Sequence, residues 1–177
     1  MLTAIIDYES GNLHSAHKAF ERMARECNAG DVVVTADADV VARADRLVLP
    51  GDGAFPSCMA ALKGQSGIYA AMVESAVDKG RPFLGICVGM QLMASMGREY
   101  EDTAGLGWIS GEVTKITPRD PSLKVPHMGW NHVQQKAHKL WDGIEDNSRF
   151  YFVHSYYVRT EARDLVAATC NYGLEFD

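Results

Sequence analysis

The sequence predicts an α/β fold with a central, mostly parallel sheet and a more antiparallel second half. Three observations support this class. Short β-branched or apolar runs alternate with helical patterns through the first half, as in strands joined by crossover helices. Loops containing glycine or proline follow several of these runs. Beyond Gly97, apolar and polar residues alternate, or β-branched and aromatic residues predominate, which is typical of antiparallel strands.

The first strand and helix follow directly from the N-terminal pattern. The run LTAIID predicts a strand, and YESGN after it predicts a turn. Apolar residues then recur at spacings of three and four from Leu13 to Cys27. This spacing predicts a helix that packs one face on the sheet, capped by Asn12 or Ser10.

The next elements continue the alternation. DVVVT predicts a strand, TADADVVARA a short helix capped by Thr35 or Asp37, and DRLVLP a strand that ends at Pro50. Two helices are expected after the loop PGDGAF, over residues 56–62 and 67–79. RPFLGI then predicts a buried, central strand of the sheet.

The second half contains four strand-like runs: WISGEVTKIT, NHVQQK, RFYFVHSYYVRT and LVAATCNYG. No linker-like composition separates them from the first half, and no internal repeat is visible. We therefore expect a single domain over residues 1–177.

The composition is that of an ordinary globular protein, with 47% hydrophobic and 23% charged residues. There is no run of eighteen apolar residues and no basic segment before the apolar N-terminus, so we expect a cytoplasmic protein without a membrane span. A net charge of -6 argues against nucleic acid or membrane as the main partner. The four cysteines lack CxxC spacing, which disfavours a zinc site or a disulfide framework, and we expect no metal or cofactor.

Cys87 lies between two glycines in the stretch PFLGICVGMQLM, after an apolar run and before a helical pattern. A nucleophile at a sharp strand-to-helix turn requires small neighbours, and Gly85 and Gly89 meet this requirement. The helix expected from Val88 directs its N–H groups at the sulfur, which favours the thiolate and can bind an oxyanion. We therefore interpret Cys87 as an activated nucleophile.

A structural role is the alternative for any such cysteine, because a free thiol packs as a small hydrophobic group. The two flanking glycines make us prefer the catalytic interpretation for Cys87. Cys27 and Cys170 are interpreted as structural, and Cys58 is undecided between the two roles, with a structural role preferred.

The motif GICVGMQL resembles the G-x-C-x-G-x-Q-x-L nucleophile motif of class I, triad-type glutamine amidotransferases. Within that class, four further stretches resemble, in order, the glutaminase subunits of imidazole glycerol phosphate synthase: IDYESGNLHS, LPGDGAF, PHMGWNHV and FYFVHSYYV. The resemblance runs from Ile5 to Asp177. It implies a flavodoxin-like, three-layer class I glutamine amidotransferase fold.

The resemblance also implies an activity. Cys87 would attack the side-chain carboxamide of L-glutamine, giving glutamate and ammonia. The ammonia would pass to a barrel synthase subunit of the HisF type, which forms imidazole glycerol phosphate and aminoimidazole carboxamide ribotide in histidine biosynthesis. A heterodimer without a cofactor is therefore implied.

Three further groups of residues take their roles from the resemblance. The oxyanion hole would be formed by backbone N–H groups of Val88, Gly51, Asp52 and Gly53. The substrate would be bound by Gln91, His154, Ser155 and Tyr156. The partner interface would contain Ser10, Gly11, Asn12, Pro126, His127, Met128, Gly129, Trp130 and Asn131.

The family completes its catalytic triad with a histidine and a glutamate in an F-H-P-E type segment. None of the six histidines of this sequence precedes Pro-Glu. We therefore expect the triad histidine and glutamate beyond Asp177, a C-terminally incomplete domain, and little or no glutaminase activity in the 177-residue chain. The alternatives are a non-catalytic short form that binds the partner, and a stand-alone cysteine hydrolase or thiol stress protein on a similar fold.

Two positions depart from the family pattern. Glu9 stands where glycine is common, so a positive φ is not expected there. Asp52 places a carboxylate in the oxyanion loop, where a negative charge opposes a forming oxyanion. We expect its side chain to point to solvent.

Overall fold

The computed structural model describes all residues from 1 to 177, and its internal contacts divide the chain into two compact units. The first unit is Met1–Met93 and the second is Ala94–Asp177. The first is an α/β unit with a parallel sheet, and the second is largely antiparallel, as the sequence predicted. The single domain over 1–177 stays a prediction.

Four parallel strands form the sheet of the first unit, in the order β2-β1-β3-β4. Their bounds are β1 (Leu2–Ile6), β2 (Asp31–Thr35), β3 (Arg46–Gly51) and β4 (Phe83–Cys87). The central strand β1 is buried along most of its length, which anchors the core of this unit. The register pairs Gly51 with Cys87, so β3 and β4 end together.

The helices of the first unit are α1 (Leu13–Glu26), α2 (Ala38–Arg43), α3 (Phe55–Gly64), α4 (Ile68–Val73) and α5 (Val88–Gln91). A π-helical turn, Glu74–Asp78, continues α4. Two predicted caps are confirmed: the Asn12 side chain accepts from the Ser15 N–H at 3.0 Å, and that of Asp37 accepts from the Asp39 N–H at 2.8 Å. No helix of the structure is long and apolar enough to cross a bilayer.

Two expectations about the strands are wrong. Strand β3 continues through Pro50 to Gly51, because its pairing with β1 stops at Val48 and the proline lies where β3 has only one neighbouring strand. Strand β4 is the edge of this sheet and not a central strand. Its Leu84 side chain is accordingly exposed.

Eight strands form two sheets in the second unit, ordered β10-β7-β5-β6 and β12-β11-β8-β9. Their bounds are β5 (Ala94–Gly97), β6 (Thr103–Ala104), β7 (Ile109–Lys115), β8 (His127–Gln135), β9 (Arg149–His154), β10 (Tyr156–Thr160), β11 (Ala168–Asn171) and β12 (Glu175–Phe176). All pairs are antiparallel except β5 with β7.

The hairpin of β8 and β9 has two different faces. Met128 pairs with Val153 and Trp130 with Tyr151, and each of these four side chains is more than half exposed. We call these four residues the apolar face. The alternating positions point inward, because successive side chains of a strand lie on opposite sides of the sheet. The hairpin therefore carries apolar residues on both sides.

Replacing the cap of α1 tests how much it stabilises the first unit. We expect Asn12→Ala to lower the free energy of unfolding by about 1 kcal/mol, because the Ser15 N–H loses its acceptor. Asn12→Asp is the control, since a carboxylate retains the acceptor. Urea denaturation compares the two variants, and equal stabilities would show that Asn12 does not act as a cap.

Candidate active site

Cys87 occupies a strained turn between β4 and α5. Its backbone has φ 55° and ψ -117°, in a region that residues other than glycine rarely adopt. Such a conformation costs about 1–3 kcal/mol and is retained only where the surrounding structure imposes it. The predicted sharp turn at Cys87 is therefore confirmed, and its role as a nucleophile stays a prediction.

Three glycines allow this turn because backbone fills the space of their side chains. A Cβ on Gly89 would lie 1.8 Å from the Leu49 carbonyl oxygen, and one on Gly85 would lie 2.5 Å from the Met90 Cα. A Cβ on Gly51 would lie 2.5 Å from the Gly89 nitrogen. The end of β3 thus packs directly against the start of α5.

The thiol of Cys87 is exposed, but its pKa is raised above the ordinary value. Partial burial of the sulfur is the largest cause, and the negative charge of Asp52 adds to it. The Val88 N–H lowers the pKa, as expected of a donor beside the sulfur. Burial and the charge of Asp52 thus oppose the thiolate, whereas the Val88 N–H favours it, and an activated thiolate at Cys87 stays a prediction.

The side chains of Ser10 and Cys58 hydrogen-bond to the backbone N–H and carbonyl of Asp52. The Asp52 N–H donates to the Ser10 Oγ at 3.0 Å, and the Asp52 carbonyl accepts from the Ser10 Oγ at 2.9 Å and from the Cys58 Sγ at 3.2 Å. The Asp52 residue itself is exposed, and Gly53 beyond it has φ 101° and open space around it. Two side chains thus fix the backbone of the predicted oxyanion loop.

Neighbouring residues of the β1–α1 turn contact the same loop. A Cβ on Gly11 would lie 2.7 Å from the Pro50 Cβ. Glu9 has φ 67°, so the expectation of no positive φ there is wrong; its N–H donates to the Asp7 Oδ1 at 3.1 Å within the turn. Ser10, Gly11 and Asn12 were predicted at the partner interface, and that role stays a prediction.

Tyr8 is a residue that sequence reasoning missed. Its side chain is fully buried, and its hydroxyl has no hydrogen-bond partner of normal geometry. The hydroxyl lies 2.8 Å from the position a Gly51 Cβ would take. Burial raises its pKa well above the ordinary value, with Cys58 and Cys87 adding to the shift. A neutral phenol therefore lies beneath the Cys87 turn, and no sequence pattern marks it.

The predicted substrate residues lie in both units. Gln91 is the last residue of α5 and is buried. His154, Ser155 and Tyr156 lie in the second unit, where β9 passes into β10, and are partly exposed. Their role in binding substrate stays a prediction.

Both ring nitrogens of His154 are engaged within the second unit. Its Nδ1 contacts the Tyr156 carbonyl oxygen at 3.0 Å and its Nε2 contacts the His127 Nδ1 at 2.9 Å. Burial lowers the pKa of His154. The ring therefore has no free nitrogen with which to act as a base.

The predicted interface residues of β8 alternate between surface and interior. Met128 and Trp130 are exposed, whereas His127 is buried and Asn131 donates from its Nδ2 to the Asn171 carbonyl oxygen at 2.9 Å. Pro126 directly precedes the strand, and Gly129 lies within it with open space around it. Their role in binding a partner stays a prediction.

No cluster of three or more histidine, cysteine, aspartate or glutamate side chains is placed to hold a metal ion. The chemistry that this arrangement supports is nucleophilic attack by sulfur beside backbone N–H donors.

Comparisons with known proteins give a consistent result. The family model "Glutamine amidotransferase class-I" matches residues 4–175. The "Imidazole glycerol phosphate synthase subunit HisH" of Ruegeria pomeroyi is 66% identical over 174 residues, covering 98% of this chain and 82% of that protein. The subunit of the same name from Cereibacter sphaeroides is 53% identical over 176 residues, covering 99% and 83%. A solved structure titled "Crystal structure of glutamine amidotransferase" matches with a TM-score of 0.67 at 14% identity, over 95% of this chain and 84% of that one, which supports the fold.

Adding a methyl group at Gly89 tests the turn. We expect Gly89→Ala to destabilise the protein by about 3 kcal/mol or more, because the new Cβ meets the Leu49 backbone carbonyl, which cannot move aside. Gly64→Ala is the control, since a Cβ there meets nothing within 4 Å. Thermal unfolding gives both values, and similar stabilities would contradict the packing argument.

Removing the charge of Asp52 tests its effect on the nucleophile. We expect Asp52→Asn to lower the pKa of Cys87, because the nearby negative charge opposes the thiolate. The rate of alkylation by iodoacetamide, followed against pH, reports this pKa at Cys87. Asp31→Asn removes the same formal charge at the exposed amino end of β2, whereas Cys87 lies at the carboxyl end of β4 in the same parallel sheet, and should leave the profile unchanged. An unchanged profile in Asp52→Asn would contradict the prediction.

Proposed function

The chain belongs to the class-I glutamine amidotransferases, and we propose that Cys87 is the nucleophile with which it releases ammonia from L-glutamine. Its high identity to HisH subunits makes its function that of the glutaminase subunit of imidazole glycerol phosphate synthase, in histidine biosynthesis. The observation that carries the proposal for Cys87 is its strained turn, which presents the sulfur at the start of α5 beside the Val88 N–H.

The reaction would proceed in two steps. The Cys87 thiol would pass its proton to a base as the sulfur attacks the side-chain carboxamide carbon, and the Val88 N–H together with the loop at Gly51, Asp52 and Gly53 would stabilise the oxyanion. The Asp52 N–H is bonded to the Ser10 Oγ and would have to leave it in order to contribute. Ammonia leaves with a proton from a general acid, and water then hydrolyses the thioester to glutamate. Gln91 and the segment His154–Tyr156 would hold the amino-acid end of the substrate. His154 would do so without its ring nitrogens, since both are already engaged.

Cys87 needs a base to remove the proton of its thiol. The pKa of Cys87 is raised, and no histidine is among the groups that shift it. A thiol in that state needs a base and an orienting carboxylate. We propose that none of the groups that shift the pKa of Cys87 supplies this base, and that the 177-residue chain alone hydrolyses glutamine slowly or not at all.

The third part concerns the partner. We propose that the chain forms a heterodimer with a HisF-type barrel subunit in the cytoplasm and passes ammonia to it. The apolar face supports this proposal, because four large apolar side chains in register on an exposed sheet face favour a protein contact. A non-catalytic form that only binds this partner is the alternative, and the raised pKa of Cys87 favours it.

Labelling with a glutamine analogue tests the nucleophile. We expect 6-diazo-5-oxo-L-norleucine to modify Cys87 and excess L-glutamine to protect it, since both occupy the same site. Cys87→Ser should remove the label, whereas Cys27→Ser, at an exposed thiol outside the site, should retain it. Mass spectrometry locates the label, and modification elsewhere would contradict the assignment.

Steady-state glutamine hydrolysis tests the missing base. We expect the 177-residue chain with a HisF-type subunit to be slower than a full-length HisH relative by at least about 1,000-fold, the scale on which triad residues act. Equal rates would overturn this part of the proposal and leave the labelling result intact.

Truncating an aromatic side chain tests the interface. We expect Trp130→Ala to weaken binding of the HisF-type subunit by about tenfold or more, since buried aromatic residues dominate such contacts. Leu140→Ala is the control, because Leu140 is also exposed in the second unit but lies outside the apolar face. Calorimetric titration measures both affinities, and equal losses would show that the apolar face is not the binding surface.

A further inference from the structure

A buried histidine and a partly exposed histidine of the second unit form one hydrogen-bonded chain. His127 on β8 and His154 at the end of β9 are paired in the sheet register, and their Nδ1 and Nε2 atoms are 2.9 Å apart. The other nitrogen of His154, Nδ1, contacts the Tyr156 carbonyl oxygen at 3.0 Å. The other nitrogen of His127, Nε2, is 3.4 Å from the Asn131 Nδ2. We call these four groups the histidine relay.

The ends of the relay determine where its protons lie. A carbonyl oxygen can only accept, so the His154 Nδ1 carries a proton and donates it to Tyr156. Neutral His154 then has an acceptor at Nε2, and the His127 Nδ1–H donates to it. His127 in turn has an acceptor at Nε2, which receives an N–H of the Asn131 amide. Every member thus has one consistent role, with both imidazoles in the Nδ1–H tautomer.

The surroundings of the relay keep both rings neutral. His127 stacks on Tyr172 and Phe152, with ring centroids 4.0 Å and 4.8 Å apart, and the His154 ring meets the edge of Phe176 at 4.9 Å. Burial lowers the pKa of both histidines, and the charge of a protonated His154 lowers the pKa of His127 further. Tyr172 is a second titratable side chain that faces His127. An additional proton would have to enter an acceptor nitrogen that already faces an N–H. Protonation of either ring at low pH would therefore break a hydrogen bond of the relay.

We propose that His127 is a positioning residue for the substrate-binding segment: it fixes the His154 ring, and thereby the turn that presents His154, Ser155 and Tyr156. The inference rests on the proposed function, which assigns glutamine binding to that segment. Asn131 connects the same relay to β8, the strand that carries Met128 and Trp130 on its outer face. The relay thus ties the proposed substrate segment to the proposed partner-binding strand through three side chains.

Nitrogen NMR of the imidazoles tests the relay directly and needs neither substrate nor partner. We expect the 177-residue chain, labelled with ¹⁵N-histidine, to show the Nδ1–H tautomer for His127 and His154, which is the minor form of a free imidazole. Both rings should be mainly neutral at pH 6.5, the ordinary pKa, and should become mainly protonated only below it. An Nε2–H tautomer at His154, or a mainly protonated ring at or above that pH, would overturn the inference.

Glutamine affinity, measured by calorimetry against pH, tests the positioning role. We expect His127→Phe, which keeps a ring for stacking but loses the donor, to weaken L-glutamine binding at pH 8 by about tenfold, the scale of one hydrogen bond. His127→Asn retains an N–H near the position of Nδ1, and its affinity should stay closer to wild type. Wild-type affinity should hold down to pH 6.5 and fall below it, as the relay becomes protonated. In His127→Phe this fall should move toward higher pH, because His154 loses the neighbour that opposes its protonation.

The outcomes separate the two proposals. Unchanged binding in His127→Phe, with clear binding by wild type, would overturn the positioning role alone. A wild-type chain in the expected tautomers that binds no glutamine would contradict the proposed function, and the positioning role with it. Asn131→Leu provides a second variant if His127→Phe does not fold: His154 should keep the Nδ1–H tautomer, because the Tyr156 carbonyl still accepts from it, and an Nε2–H form there would overturn the proton order.

Discussion

The close packing of two backbone segments determines the geometry around Cys87. The end of β3 lies so near the start of α5 that Gly89 has no room for a side chain next to the Leu49 carbonyl oxygen. Since Gly51 and Cys87 are paired in register, this contact also sets where β4 must end. Cys87 then has to adopt a positive φ to enter α5. The exposure of the sulfur and the position of the Val88 N–H both follow from this one contact.

The sequence predicted much of this arrangement because its information is local. Strand and helix patterns depend on the spacing of apolar residues, and the turn at Cys87 depends on glycines two residues away. The predicted caps at Asn12 and Asp37 have the same origin, as each bonds an N–H two or three residues on. Prediction failed where distant segments decide the outcome. The edge position of β4 is set by strand order, and the raised pKa of Cys87 is set by burial and by Asp52 from another loop.

The residues that sequence patterns did not identify also owe their positions to contacts between segments distant in sequence. Tyr8 is a residue of ordinary type in an unremarkable turn, and only the folded chain buries its hydroxyl under the Cys87 turn. The sequence does not decide the role of Cys58, because nothing local reveals that its sulfur bonds the Asp52 carbonyl. His127 and His154 are 27 residues apart, and their contact exists only because β8 and β9 pair in one particular register. Sequence identifies such groups once a family is recognised, but it does not give their hydrogen bonds.

The raised pKa of Cys87 also bears on how long its thiol survives in a cell. Peroxides oxidise a thiolate far faster than a thiol, and the products beyond sulfenic acid are irreversible. An exposed cysteine that ionised readily at rest would be a standing target for such damage. A sulfur that remains protonated until a base reaches it is protected during the time that it is idle. The feature that slows this residue as a nucleophile therefore also lengthens its chemical lifetime.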